Sequence, residues 1–267
     1  MAGYRQFHGL CATAFGKSIG RANLLIYPQL EEFVDEIETL VEDGGVGVLS
    51  GEMGIGKTTA LRHALGRIEE SCQLCYAGSN RHPTALLQGL VEGLGVMPAR
   101  HRAALLRQVS QRVERAFQEQ RKRTLIILDD AHLLDDNLLE DIRLLTNFEM
   151  DGQDALVLLL VGHPAVRRRL QLPVHLALWD RVRMHYRLEG LSREETSTYI
   201  DHHMQAAGGT GTLFTADAKE AIFEAAQGIP RRINALALTA LKKSASRKLT
   251  PIDEGLVATA LAQLKAN

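Results

Sequence analysis

Gly51-Glu52-Met53-Gly54-Ile55-Gly56-Lys57-Thr58 stands between a short apolar run, Val46 to Ser50, and a helix-forming stretch, Lys57 to Arg67. This G-x-x-x-x-G-K-[ST] pattern constrains the fold more than any other feature, because such a loop works only where a strand delivers it to a helix start. The glycines let successive backbone N–H groups turn inward around phosphate oxygens, and the helix adds the positive end of its dipole. Lys57 is suited to bridging the outer phosphates, and the Thr58 hydroxyl to holding Mg²⁺. The nucleotide-binding set is therefore Gly51, Glu52, Met53, Gly54, Ile55, Gly56, Lys57, Thr58 and Thr59.

Gln73 to Ala77, Leu125 to Leu128 and Leu156 to Val161 are further short apolar runs of the kind that form buried parallel strands. Val182, Met184, Tyr186 and Leu188 alternate with Arg183, His185 and Arg187, the period of a strand buried on one face. Five strands with helices between them predict an α/β three-layer sandwich with a mainly parallel sheet. After Gly190 the pattern changes. Ser192 and Glu195 form a capping-box signature, and Ala218, Ala221, Ile222, Ala225 and Ala226, then Ile233, Leu236, Ala237, Ala240 and Leu241, repeat at helical spacing. The expected division is an α/β nucleotide-binding domain over 1–189, including the N-terminal lead-in, and a helical lid over 190–267.

Leu125-Ile126-Ile127-Leu128-Asp129-Asp130 supplies the partner of the phosphate loop. Asp129, at the end of a buried strand, is placed to hold Mg²⁺ through its water shell, and Asp130 to orient an attacking water. Asp129 lies 72 residues beyond Lys57, room for a whole strand and helices between the two motifs. Small-molecule kinases with this loop usually place the acid on the adjacent strand and carry an acceptor lid. Neither is legible here, so an ATPase that uses water as acceptor is the better reading.

Composition bounds the partners. The 267 residues carry 31 Lys and Arg against 32 Asp and Glu, which excludes a generally polycationic coat for nucleic acid. Charge is nevertheless uneven. Residues 22–56 contain no Lys or Arg and eight acids, whereas 100–123 and 162–187 are rich in arginine. Solvated helix faces compete with a nucleic-acid patch as the explanation. Cys11, Cys72 and Cys75 form no disulfide framework, which fits a reducing, cytoplasmic setting. Cys72 and Cys75 point to opposite faces of a strand and read as core, and His202-His203 reads as surface. The longest apolar run has seven residues, short of the roughly twenty a membrane span needs.

With these motifs placed, the chain resembles the AAA+ ATPases. Within them it is similar to the branch of ExeA-type (GspA-like) secretion ATPases and of transposition ATPases of the TnsC, TniB and MuB type. Phe7-His8-Gly9-Leu10 with Ala14-Phe15 looks like the branch's lead-in, and Tyr27-Pro28 precedes the first helix as it does there. Gly162-His163-Pro164 looks like its G-Q-P, and Gly228-Ile229-Pro230-Arg231-Arg232-Ile233-Asn234 like its G-x-P-R-x-x-N.

The resemblance implies that Arg231 is the sensor arginine reaching the nucleotide's phosphates. It also implies that Arg181 is the arginine finger acting on a neighbouring subunit's ATP. Arg183 and Arg187 compete for the second role. His163, where the branch usually has Gln, would sense the γ-phosphate and bring pH dependence; a partly exposed turn histidine is the competing reading. Asp130 replaces the usual Glu and is one methylene shorter, which implies slower hydrolysis or a differently placed water.

The function implied first is an ATP- and Mg²⁺-dependent regulator of DNA transposition. It would assemble on double-stranded DNA as a ring or helical filament of identical subunits, select target sites with or without a target-selection protein, and recruit a transposase. Arg81, Arg100, Arg102 and Arg107 are the candidate DNA contacts. The rival is a secretion ATPase acting on envelope peptidoglycan. Such proteins usually continue into a membrane span, which is not expected here. A nucleotide-dependent scaffold with little turnover is the third reading.

Overall fold

A computed structural model describes residues 3–16, 24–78, 82–146 and 154–266. Five strands form one sheet: β1 (Gly45–Ser50), β2 (Cys72–Ala77), β3 (Arg123–Leu128), β4 (Leu156–Gly162) and β5 (Val182–Arg187). Their spatial order is β2-β3-β4-β1-β5, and every pairing is parallel. Every residue of β4 is buried, as is all of β3 after Arg123, so β4, and β3 from Leu125 on, read as apolar runs. At the β5 edge, Met184 and Tyr186 are buried while Arg183, His185 and Arg187 face water, the alternation legible in the sequence.

One face of the sheet packs on α4 (Pro83–Gly93), α5 (Arg102–Gln120), α6 (Asp136–Leu145), α7 (Ala165–Leu170) and α8 (Leu176–Trp179). Leu87, Val109, Ile142 and Leu170 meet Val48, Ile126 and Leu158 there. The other face takes α2 (Pro28–Asp43) and α3 (Lys57–Ile68), which pack together. Cys75 Sγ lies 3.6 Å from the Leu90 carbonyl of α4, and Cys72 Sγ 3.6 Å from the Ile68 carbonyl of α3. The two thiols thus face opposite layers, and burial pushes both up to about 11.

The remaining helices are α1 (Gly3–Phe7), α9 (Arg193–Ala206), α10 (Ala216–Ala226), α11 (Pro230–Arg247) and α12 (Glu254–Ala266). They form a second unit around Ile200, Met204, Ile222, Ile233, Leu241 and Val257. The capping box is present: Glu195 N–H donates to Ser192 Oγ (3.1 Å), and Ser192 N–H to Glu195 Oε2 (2.7 Å). No helix among the described residues is long and apolar enough to cross a membrane.

Two details depart from the expectation. The described lead-in before Pro28 groups with the helical unit, not with the sheet, because Leu10, Ala14 and Phe15 are buried in the helical core. His203, read as surface, is only 4% exposed. Its ring stacks on Phe15, with centroids 5.2 Å apart, and lies against Tyr199 at 4.2 Å. Tyr199, Ile200, Met204 and Ala207 put His203 on the apolar side of α9, but no residue near it in sequence shows that the lead-in will cover it.

Burial, with a smaller effect of His202, pushes the His203 imidazole down to about 4. The unfolded chain then binds a proton that the folded chain refuses. Stability is therefore full above pH 6.5 and falls as pH drops from there towards 4, by on the order of 3 kcal/mol. His203→Phe, which keeps the stack, is expected to flatten this part of the melting-temperature profile between pH 6.5 and 4. An unchanged profile would assign the acid sensitivity to other groups.

Candidate functional site

The carboxyl ends of β1, β4 and β3 stand side by side in that order. They carry the phosphate loop, His163 and the Asp129-Asp130 pair respectively. With β4 between them, β1 and β3 are about 10 Å apart, the span of a phosphate chain with its metal. The acid is thus not on the strand adjacent to the loop, which agrees with the separation of the motifs in sequence.

Gly51 N–H donates to the Gly162 carbonyl (3.2 Å), closing the loop onto β4, and Ile55 is buried beneath it. Gly54 and Gly56 adopt φ of +82° and +107°, which turns the backbone in a way L-side chains resist. α3 begins at Lys57, whose Nζ donates to the carbonyls of Gly51 (2.8 Å) and Glu52 (3.0 Å). The ammonium is thereby folded back over the loop. Thr58 and Thr59 are exposed on the first turn of α3, Glu52 is exposed, and Met53 is 74% exposed.

Both oxygens of Asp129 are engaged. Oδ1 accepts the Asp130 N–H (2.8 Å), and Oδ2 accepts the Tyr76 hydroxyl (2.8 Å). Asp130 itself has φ +51° and starts the 3₁₀ turn Ala131–Leu133, a conformation aspartate tolerates better than most residues. His163 Nδ1 accepts the Ala165 N–H (3.3 Å), so its proton sits on Nε2 and is donated to Glu52 Oε2 (3.2 Å). The His163 N–H in turn donates to His132 Nδ1 (3.4 Å). Burial lowers the His132 pKa, opposed by the charge of Asp130.

Thr58 and Asp129 offer oxygen donors only. No cluster of three or more His, Cys, Asp or Glu among the described residues is arranged to hold a metal. A site that leaves most positions to water and phosphate oxygens suits Mg²⁺.

Four residues here escape sequence reasoning. Tyr76 and His132 are two; Arg169 and His175 are the others. Arg169 donates to the carbonyls of Leu134 and His132 (3.4 Å) and to Asp136 Oδ1 (2.5 Å). Buried His175 lies 3.0 Å from the same oxygen. The Arg169 and His175 hydrogen bonds hold the Asp136 carboxyl below its usual range. This clamp fixes the turn that follows the acids. His132 alone had a local cue, two residues after Asp130.

In the helical unit, Gly228 has φ +67°, and a Cβ there would stand 2.1 Å from the Leu191 carbonyl oxygen. Pro230 then starts α11 with the φ a first helical position needs. The G-x-P-R motif is therefore a turn specification, and it ends in exposed Arg231. The helical unit also takes in the loop residues Gly54–Gly56, and within it the Arg231 N–H donates to the Gly54 carbonyl (3.2 Å).

Arg181 is elsewhere. Its carbonyl accepts the Val46 N–H at the start of β1, about 20 Å along the sheet from the loop. Its guanidinium donates to Thr146 Oγ1 (2.6 Å) and the Arg143 carbonyl (3.2 Å). Arg183 is at the same end, on the Asp43 carbonyl (2.6 Å) and Asp154 (3.2 Å).

Of the candidate DNA contacts, Arg81 lies outside the described residues, and Arg100 and Arg107 are exposed. Arg102 is committed to the fold: it donates to Asp141 Oδ2 (2.6 Å) and the Asn137 carbonyl (2.8 Å). Asp141 is only 3% exposed, and a buried carboxylate needs such a partner.

Residues 40–170 match the profile of an AAA domain. The general secretion pathway protein A of Aeromonas hydrophila is 29% identical over 96% of this chain and 48% of its own length. The chain thus spans about half of that relative. Among solved structures, Cdc6p of Pyrobaculum aerophilum superposes with a TM-score of 0.65 at 20% identity, over 87% of this chain and 64% of that one. The Aeropyrum pernix ORC2 protein in its ADPNP–ADP complexes gives 0.66 at 18%, over 93% and 70%. The RuvB branch migration motor of Thermotoga maritima gives 0.56 at 15%, over 92% and 70%. The fold is that of the AAA+ P-loop ATPases, and the matches support an AAA+ ATPase. They lend no support to the transposition branch.

Arg102→Ala is expected to destabilise the sheet unit by about 1.5–3 kcal/mol, the value of a hydrogen bond to a charged group. The lower end applies because the arginine is 42% exposed. Denaturant unfolding reads this directly, and an Arg102→Ala, Asp141→Leu double variant should recover most of the loss. No change in the midpoint for Arg102→Ala would return Arg102 to the surface residues.

Proposed function

We propose that the chain is an ATP-hydrolysing AAA+ module that works by nucleotide-dependent assembly with further copies of itself, in a secretion-type machine like that named for the Aeromonas relative. The observation that carries hydrolysis is the juxtaposition, at three neighbouring strand ends, of a glycine-turned phosphate loop, a helix start and a held acid pair. The lengthwise match to general secretion pathway protein A supports the setting.

On this reading the loop N–H groups and Lys57 bind the phosphates, and Lys57 exchanges its contacts with the Gly51 and Glu52 carbonyls for phosphate oxygens. Thr58 and Asp129 hold Mg²⁺, which supplies charge neutralisation at the β- and γ-phosphates. Asp130 accepts the proton of the attacking water. His163, bonded to Glu52, is positioned to register the terminal phosphate. Arg181, remote from its own loop, acts on a neighbouring subunit's ATP after releasing Thr146.

The second reading, a DNA-transposition regulator that recruits a transposase, rests on the motif resemblance together with exposed Arg100 and Arg107. One experiment separates them: ATP turnover by the purified protein alone, with double-stranded DNA, and with peptidoglycan, at low and moderate salt. Stimulation by peptidoglycan supports the secretion setting. Salt-sensitive stimulation by DNA moves the assignment to the second reading. Lys57→Ala is expected to abolish ATP binding, whereas Asp130→Ala should retain binding and lose roughly 10²-fold or more in turnover. Normal turnover by Lys57→Ala would refute the site.

A further inference from the structure

Tyr76 is a large aromatic residue on the edge strand β2, and it is 52% exposed. Burial of its ring therefore accounts for little of its presence there. In register it pairs with Ile127, two residues before Asp129, and its hydroxyl reaches Asp129 Oδ2 at 2.8 Å. The backbone N–H of Asp130 holds the other oxygen at 2.8 Å. A carboxylate with one donor on each oxygen cannot rotate about its terminal bond without breaking both contacts. An ionised carboxylate offers about four lone-pair positions, so two remain for the water shell of a cation. A tyrosine has only two side-chain torsions to fix, so it does this at small entropic cost.

We propose that Tyr76 is a positioning residue for the metal-binding acid: its hydroxyl fixes the rotamer of Asp129 and so sets the affinity of the nucleotide site for Mg²⁺. This inference rests on the proposed reading of Asp129. On this proposal the residue acts through its hydrogen bond to Asp129 and does not itself ligate the metal. Partners of metal-binding groups in such a second layer typically change metal affinity by about 10–100-fold when removed. Tyr76→Phe deletes one oxygen from a half-exposed side chain, so the fold is not at stake.

The test uses the full chain and a fluorescent ATP analogue. Binding is titrated first with EDTA and then against rising Mg²⁺, for wild type, Tyr76→Phe, Asp129→Asn and the double variant. The expected result is an unchanged affinity in EDTA and an Mg²⁺ midpoint raised about tenfold in Tyr76→Phe. In the Asp129→Asn background the same change should shift the midpoint less than about twofold, because the group through which Tyr76 acts has lost its charge. A wild-type midpoint in Tyr76→Phe overturns the proposal, as does an equal shift in both backgrounds. Failure of wild type to show any Mg²⁺ dependence, or of Asp129→Asn to reduce it, overturns the site reading itself and the inference with it.

Discussion

Parallel pairing is the constraint on which the rest of the sheet unit depends. When every strand runs the same way, all carboxyl ends fall on one side, and strands covered by helices on both faces leave polar chemistry to their ends. β4 is apolar along its length and β3 from Leu125 on, and the residue after each strand, His163 and Asp129, is polar. The phosphate loop meets the same requirement at the end of β1. Three features far apart in sequence become neighbours because β3, β4 and β1 are adjacent and parallel.

The parts of this arrangement that depend on local chemistry could be read from the sequence. The glycines at 54 and 56 announce a backbone turn, the apolar runs announce buried strands, and Ser192 with Glu195 announces a helix start. What could not be read depends on neighbours distant in the chain. Tyr76 is an unremarkable strand residue until register brings β2 beside β3. Arg102 belongs to a basic stretch, and nothing local says that Asp141, 39 residues on, will be buried and require it. His203 needed knowledge that Phe15 returns to stack on it. Arg169 and His175 converge on Asp136 only after two helices have turned back over the sheet.

The resemblance to transposition and secretion ATPases was carried by motifs that specify nucleotide handling and turn geometry. Gly228-Ile229-Pro230 is intelligible as a tight approach to Leu191 followed by a helix start, which any machine with this helical unit would need. Such motifs define the engine and not its load. The lengthwise relative, and not the motifs, is what directs the proposed setting towards secretion.

β4 separates the phosphate loop from the acids, and only its final residues touch both. His163 donates from its ring to Glu52 on one side and from its backbone to His132 on the other. The two halves of the site thus meet at the end of β4. Gly162 makes a second junction, accepting the Gly51 N–H and lying close to His132 and Ala131, so a replacement at 163 that shifted this backbone would disturb both sides. The end of the middle strand is thus less a gap between the halves than the shared support on which both are fixed.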